Sequence, residues 1–384
     1  MASILKRTFI NLLISLMGLL FAFIALEIAL RLISYFKKPE VVHLDERPWF
    51  FVRPDDNRRE LKNRKYVIPK PAGEFRVAAV GDSFTFPHML QFDDVYANRL
   101  ERILSQRLPV DGKFNSVRVI NYGTPGLSTL FEVRAVKQAV REGADLVILQ
   151  ITLNDAEFHT FTEISQKHPE AYAFGPLKIS KEKTPLLYYS KALGFIATRL
   201  HNTRTHKDYI RYHRELFEKP DTWSAFAQSI RNIKHLTEKN GVKLFAFIFP
   251  IFTFKLDRDY PFFNTHDKIT RLLAENKIPH ADLLYAYYGL DNSRLQVVVG
   301  HDSHPNEIAH RIAAEQVYLW LSYFNLIPDE LKLKHICHHH ISKRRCKTKF
   351  KRLFRGRKIP SGYFKNELMD LHILGKSHNH NISS

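Results

Sequence analysis

An α/β fold with a mostly parallel sheet, helices on both of its faces and one membrane-spanning helix in front of it is what this sequence predicts. Three observations carry that prediction. From residue 73 onward, short and near-continuous apolar runs alternate with amphipathic stretches, the pattern of strands buried on both faces between crossover helices. Near the amino terminus stands a run of 18 residues without a charge, close to the least length that crosses a bilayer. Polar residues gather where the apolar runs end, which in a parallel sheet is one carboxyl edge.

The uncharged run is Phe9 to Leu26, with Lys6 and Arg7 before it and Glu27, Arg31, Lys37 and Lys38 after it. Continued through Ile33 it spans a bilayer with Glu27 and Arg31 at headgroup level. No small-x-small cleavage site follows, and the run is longer than a usual signal core, so an uncleaved anchor over residues 1–34 is expected. Basic residues flank the run on both sides, so charge counting gives no orientation. Residues 35–72 are polar, charged and proline-bearing and read as a linker.

The domain expected over 73–330 then begins. "FRVAAV" is a strand, Asp94 to Gln106 an amphipathic helix, "SVRVINYG" a second strand, Thr129 to Arg141 a second helix and "ADLVILQI" a third strand. An irregular insertion over 157–221 follows, rich in Tyr, Phe, Lys and His. Its expected place is the substrate side of a crevice; a lid packed by its own aromatics fits the composition equally well. Thr222 to Lys239 is a helix, "VKLFAFIFP" a strand and His266 to Asn276 a helix. The last helix runs from Asn306 to about Tyr323.

Composition excludes several classes. With 45% hydrophobic and 25% charged residues the chain is globular, not disordered. Two cysteines, Cys337 and Cys346, cannot form a disulfide framework for 384 residues. The formal charge of +19 is concentrated in residues 331–384, where 14 Lys or Arg meet 2 acidic residues. That tail mixes basic residues with Phe350 and Phe354. In isolation it would suit nucleic acid; beside a membrane, anionic lipid or polysaccharide fits better, and a solvated tail is the default. His335, Cys337, His338, His339, His340 and Cys346 match no standard zinc spacing, so no metal site is expected.

Strand ends supply the chemistry. The first run ends on Gly81-Asp82-Ser83, the second on "NYGTPG" (Asn121 to Gly126) and the third on "TLND" (Thr152 to Asp155). "HDSHPN" (His301 to Asn306) precedes the last helix. Brought to one edge, these offer a nucleophile, a base with a carboxylate and donors for an oxyanion. Each has a bland alternative. Ser83 could cap a turn, Gly126 could serve a positive φ, Asn154 could satisfy a strand end, His304 could be a helix-entry residue, and Asp155 is expected to hold its loop.

With these blocks the chain resembles the SGNH hydrolases, the GDSL esterase/lipase superfamily, and its members with an N-terminal membrane anchor. "GDSFT", "NYGTPGLST", "LND" and "DSHPN" match the four family blocks, in order, between about Gly73 and Asn325. The resemblance implies a three-layer α/β/α fold with a flavodoxin-like sheet. It implies Ser83 as nucleophile, His304 as base and Asp302 as its partner. The oxyanion hole would be Ser83, Gly126 and Asn154, and no cofactor is needed. Two departures stand out. Asp302 and His304 are spaced Asp-x-His, where many relatives have Asp-x-x-His; relatives with the shorter spacing include envelope polysaccharide O-acetyltransferases. This leaves either Asp302 or a backbone carbonyl to orient His304. Leu153 stands where many members carry glycine.

Three functions follow from this reading. The first is a membrane-anchored esterase, its domain outside the cytoplasmic membrane, acting on an acyl ester of an envelope glycan or lipid. The second is an O-acyltransferase on the same substrates. The third is a binding protein with a degenerate fold, which would show Ser83 and His304 too far apart to hydrogen-bond.

Overall fold

The computed structural model describes residues 2–36, 63–159, 161–168, 171, 177–299 and 302–332. Most of the expected linker, His301 and the basic tail with its Cys and His residues lie outside the described residues. The described chain divides into two compact units, one with residues 2–36 and 177–209, the other with 63–171 and 210–332. The insertion expected over 157–221 is therefore shared between them.

In the first unit, α1 (Ala2–Phe36) is a single helix, and Lys6–Phe36 is long and apolar enough to cross a membrane. Its large apolar side chains are exposed along most of its length.

The second unit is built on β1 (Glu74–Val80), followed by α2 (Tyr96–Ser105), β2 (Ser116–Asn121), α3 (Thr129–Arg141) and β3 (Leu146–Ile151). Next come α4 (Phe161–Lys167), α5 (Pro185–Tyr189), α6 (Lys191–Glu218) and α7 (Pro220–Lys239), of which α5 and α6 as far as Tyr209 lie in the first unit. β4 (Lys243–Ile248), α8 (Phe263–Glu275), β5 (His280–Asp282), α9 (Leu284–Tyr287) and α10 (Glu307–Tyr323) complete it. All pairings are parallel and the strand order is β2-β1-β3-β4-β5. Every residue of β1 and β3 is buried, on both sides of the pleat, because helices cover both faces. Helix α3 packs against α7, and α2 against α10.

Two features of the second unit differ from expectation. β5 is only three residues long, too short for a period-2 pattern to register. The folded part also begins before residue 73. Asn63 is buried and exchanges hydrogen bonds with the backbone of Asn121 at 2.6 and 3.0 Å, while Arg64 pairs with Asp93 and Glu101.

Arg76 lies inside the first strand, 1% exposed. Nε bonds Glu74 at 2.6 Å, and the two terminal nitrogens reach the carbonyls of Glu142 and Val67 at 2.7 and 2.8 Å. A buried guanidinium needs this full complement of acceptors.

Candidate active site

Order β2-β1-β3 makes β1 the strand at which the winding of the sheet reverses, the place where open α/β sheets open a crevice at their carboxyl edge. Ser83 leaves β1 there, the block-two turn follows β2 on one side, and Asn154 follows β3 on the other. A β-carbon on Gly81 would collide with Thr85 Oγ1 and Gln150 Oε1. The chain turns immediately, with the Thr85 and Phe86 amides donating to the Asp82 carbonyl at 3.2 and 3.0 Å.

Asp82 is fully buried and gathers this edge. Its Oδ1 accepts from the Phe84 amide at 2.9 Å. Its Oδ2 accepts from Thr152 Oγ1 at 3.1 Å and Asn154 Nδ2 at 3.0 Å, with Ser83 Oγ at 3.4 Å. Thr152 therefore ties the end of β3 to the end of β1, and Asn154 reaches the same carboxylate as Ser83. On the other side, Thr124-Pro125-Gly126-Leu127 forms a turn in which the Leu127 amide donates to the Thr124 carbonyl at 3.3 Å and Gly126 has φ +73°. Proline followed by a residue of positive φ is the signature of a type II turn, so glycine is required at 126. Both readings of Gly126 can hold at once, since such a turn also sets the direction of its N–H.

The hydrogen-bond partner of Ser83 comes from the segment before α10. Ser83 Oγ lies 2.8 Å from His304 Nε2, and His304 Nδ1 lies 2.5 Å from Asp302 Oδ1. A carboxylate can only accept, so Nδ1 carries the hydrogen and Nε2 is left to accept from the serine. Asp302 Oδ1 also accepts from the backbone N–H of His304 at 2.8 Å. The two-residue spacing thus closes a ring between Asp302 and His304, and Asp302 fills the position that a backbone carbonyl could have taken. An antiparallel bridge between Gln296 and Pro305 pins the segment, and Asn306 caps α10 by accepting from the Ile308 and Ala309 amides.

His88 was not singled out in the sequence. Its Nε2 is 3.2 Å from Asp302 Oδ2, and its ring stacks on His304 with centroids 3.9 Å apart. Phe84 touches His304 on a second side, 4.9 Å between centroids. Burial first, then the charge of His304, pushes the His88 pKa down; facing a carboxylate, which can only accept, Nε2 carries the hydrogen and donates it. Burial alone would raise the Asp302 carboxyl. The charge and hydrogen bond of His304, with those of His88, hold it well below the usual carboxylate range. Ligand atoms of His88, Asp302 and His304 lie within 4.8 Å of one another, a donor set that could hold a divalent cation; here they are engaged with each other.

Beneath block three, Asp155 Oδ2 accepts from the Thr152 amide at 2.6 Å, so this side chain holds the loop. Its neighbour Glu132 is fully buried with no ordinary hydrogen bond to either oxygen. Burial first, then the neighbouring carboxyls, raises both Glu132 and Asp155 well above the usual range. Leu153 is buried, and its carbonyl accepts from His213 at 3.4 Å. A second His–Asp pair, His266 and Asp282 at 3.0 Å, is buried under Tyr260 and closed to substrate.

No family model matches the chain, and no curated protein matches it. Solved structures do. TesA is 13% identical and matches 66% of this chain and 99% of its own, with a TM-score of 0.38. Axe2, an acetylxylan esterase from Geobacillus stearothermophilus, is 15% identical over 68% of this chain and 99% of its own, TM-score 0.36. A protein of the lipolytic G-D-S-L family from Desulfitobacterium hafniense DCB-2 is 14% identical over 63% and 96%, TM-score 0.36. These likenesses are too distant to assign a role to any residue. The strand order and the four blocks meeting at the β1 edge decide the architecture. Five parallel strands with helices on both faces make it a three-layer α/β/α fold. Ser83, His304 and Asp302 form one hydrogen-bonded chain, and Asp82 holds the Asn154 amide beside it.

Proposed function

We propose that the protein is a membrane-anchored serine esterase that removes an acyl group from an envelope glycan or lipid outside the cytoplasmic membrane. The observation that carries this reading is the continuous chain Ser83 Oγ to His304 Nε2 at 2.8 Å and His304 Nδ1 to Asp302 Oδ1 at 2.5 Å. A serine within reach of an oriented, neutral imidazole is the arrangement that makes a hydroxyl nucleophilic. The apolar length of α1 supports the anchor.

In this mechanism His304 Nε2 takes the proton of Ser83 as its oxygen attacks the ester carbonyl. The resulting oxyanion is met by the N–H groups of Ser83 and Gly126 and the side-chain amide of Asn154. The Asn154 amide has two hydrogens, of which Asp82 takes one. The imidazolium returns its proton to the departing alcohol, and Asp302 stabilises the charge on the ring meanwhile. Water, deprotonated by His304, then attacks the acyl-serine, giving the free acid and regenerating Ser83. A sugar hydroxyl in place of that water would turn the same groups to acyl transfer.

The test is acyl release by the full chain in detergent or nanodiscs, on acetylated glycans, with and without an acceptor sugar. Acid release that requires Ser83 supports the esterase. Transfer to the acceptor in preference to water would replace it by the transferase, and neither product with any ester offered would leave a binding protein.

A further inference from the structure

Outside α1, thirteen large hydrophobic side chains are exposed among the described residues, and seven of them fall between Leu186 and Leu200. A soluble surface seldom concentrates apolar side chains in this way without a partner. Leu186 is 75% exposed and Leu200 68%.

This segment is bonded to the anchor. The Glu27 carboxylate accepts from Ser190 Oγ at 2.9 Å and from the Lys191 and Ala192 amides at 3.1 and 2.7 Å. It thereby satisfies the first free N–H groups of α6, and its charge suits the positive end of the helix dipole. Arg31 bonds Glu27 at 2.8 Å and reaches the Tyr189 carbonyl at 2.7 Å. Phe23, Leu26, Glu27 and Leu30 are partly covered, whereas their neighbours on other faces of α1 are exposed. Their spacing of three and four residues puts them on one face.

Depth along α1 identifies what the apolar side chains meet. Glu27 directly follows the uncharged run Phe9 to Leu26, which at 1.5 Å per residue is about 27 Å long, the thickness of a bilayer's hydrocarbon core. Glu27 and Arg31 therefore stand at its boundary. From there one stripe of α6 reads Leu193, Ile196, Leu200, Arg204, Lys207 at helical spacing: apolar next to the anchor, basic farther along. Tyr188 and Tyr189 precede it. Tyrosines and apolar side chains followed by Lys and Arg are the composition of a bilayer interface, where the long basic stems lie along lipid and their charges reach headgroups.

We propose that residues 185–200 form a second membrane-contact element, seated in the lipid headgroup and acyl boundary and docked on the anchor through Glu27 and Arg31. The occupant of its apolar face is lipid. This rests on the reading of α1 as a membrane anchor, and the test separates the two. In the full chain with Cys337→Ser and Cys346→Ser, single cysteines are introduced at Leu16, Leu186, Ile196, Leu200 and Asn202, spin-labelled and reconstituted in nanodiscs containing anionic lipid. Accessibility to oxygen against a water-soluble nickel chelate then reports depth. The expected result is lipid-like accessibility at Leu16, Leu186, Ile196 and Leu200, and water-like accessibility at Asn202 on the opposite side of α6. Water-like values at Leu186, Ile196 and Leu200 with a lipid-buried Leu16 would overturn the interfacial element and leave the anchor standing. A water-exposed Leu16 would overturn the anchor and the element together.

Discussion

His88 Nε2 sits 3.2 Å from Asp302 Oδ2, on the carboxylate whose other oxygen holds His304. One carboxylate therefore orients two stacked imidazoles, and only His304 reaches Ser83. His88 Nδ1 is buried without a hydrogen bond, which fits a neutral ring donating from Nε2. In the proposed mechanism His88 is a positioning residue: it holds the Asp302 carboxylate and walls one face of His304.

His88→Ala is expected to lower kcat about ten- to a hundredfold with KM nearly unchanged, since one hydrogen bond to a charged group contributes roughly 1.5–3 kcal/mol and about 1.4 kcal/mol is tenfold in rate. His88→Gln, whose amide can still donate to Asp302, should recover part of the loss. Steady-state kinetics on a small soluble ester decide this. A loss that appears only in KM, or no recovery in the glutamine variant, would remove the positioning role.

Ser83→Ala should abolish fluorophosphonate labelling and reduce ester turnover by about a thousandfold or more. Its thermal midpoint should stay close to that of the parent, because only one partly exposed hydroxyl is lost. Turnover at the parent rate would return Ser83 to being a polar turn residue.

Asp302→Asn distinguishes a triad from a dyad. The asparagine can present an N–H to His304 Nδ1 and favour the wrong tautomer, so a fall in kcat on the order of 10³ to 10⁴ is expected. A fall of less than tenfold would mean that the 2.5 Å contact is not used in turnover.

Asn154→Ala should keep labelling at Ser83 and slow turnover by about 10² to 10³, the usual effect of losing one oxyanion donor. Asp82 also loses a hydrogen bond in this variant. Asn154→Asp, which keeps the size and removes the donor, is the control; a variant at full rate would exclude Asn154 from the hole.

Glu132 gives the pH prediction. Its carboxyl is held protonated in the fold by burial and by Asp155, whereas in the unfolded chain it ionises near pH 4.3. Above that pH the unfolded state binds fewer protons than the folded one, so this group makes stability fall as pH rises. Glu132→Gln removes the slope. Chemical denaturation at pH 4.5 and 7.5 should therefore favour the variant more at the higher pH. Equal differences at both values would mean that Glu132 is already ionised in the fold.

The strands β1 to β4 and the helices between them were legible because their signals are local. An apolar run such as Val77 to Val80 buries itself wherever it is placed, and parallel packing brings its end to the shared edge without further instruction. The four blocks sit at those ends for the same reason, and it was their resemblance to the family's blocks, in the same order, that pointed to Ser83, Gly126, Asn154, Asp302 and His304. The sequence also sufficed for the uncharged length of α1, since 18 residues of helix are long enough for a bilayer whatever follows.

Tertiary structure alone decided the rest. His88 meets Asp302 across 214 positions, and nothing near "FPH" marks a histidine that will lie on another. The choice between Asp302 and a carbonyl as partner of His304 depended on the ring that a two-residue spacing closes, which is a matter of side-chain geometry. Asp82 and Glu132 read as ordinary acids until burial fixes what they can bond. The insertion reads as irregular because the apolar stripe of α6 stops after Leu200 and gives way to basic residues, and because the cap of that helix comes from Glu27, more than 160 residues earlier. Periodicity records what a segment does with its neighbours in sequence; contacts between distant segments leave no period to read, and they are what joins His304 to its partners and the insertion to α1.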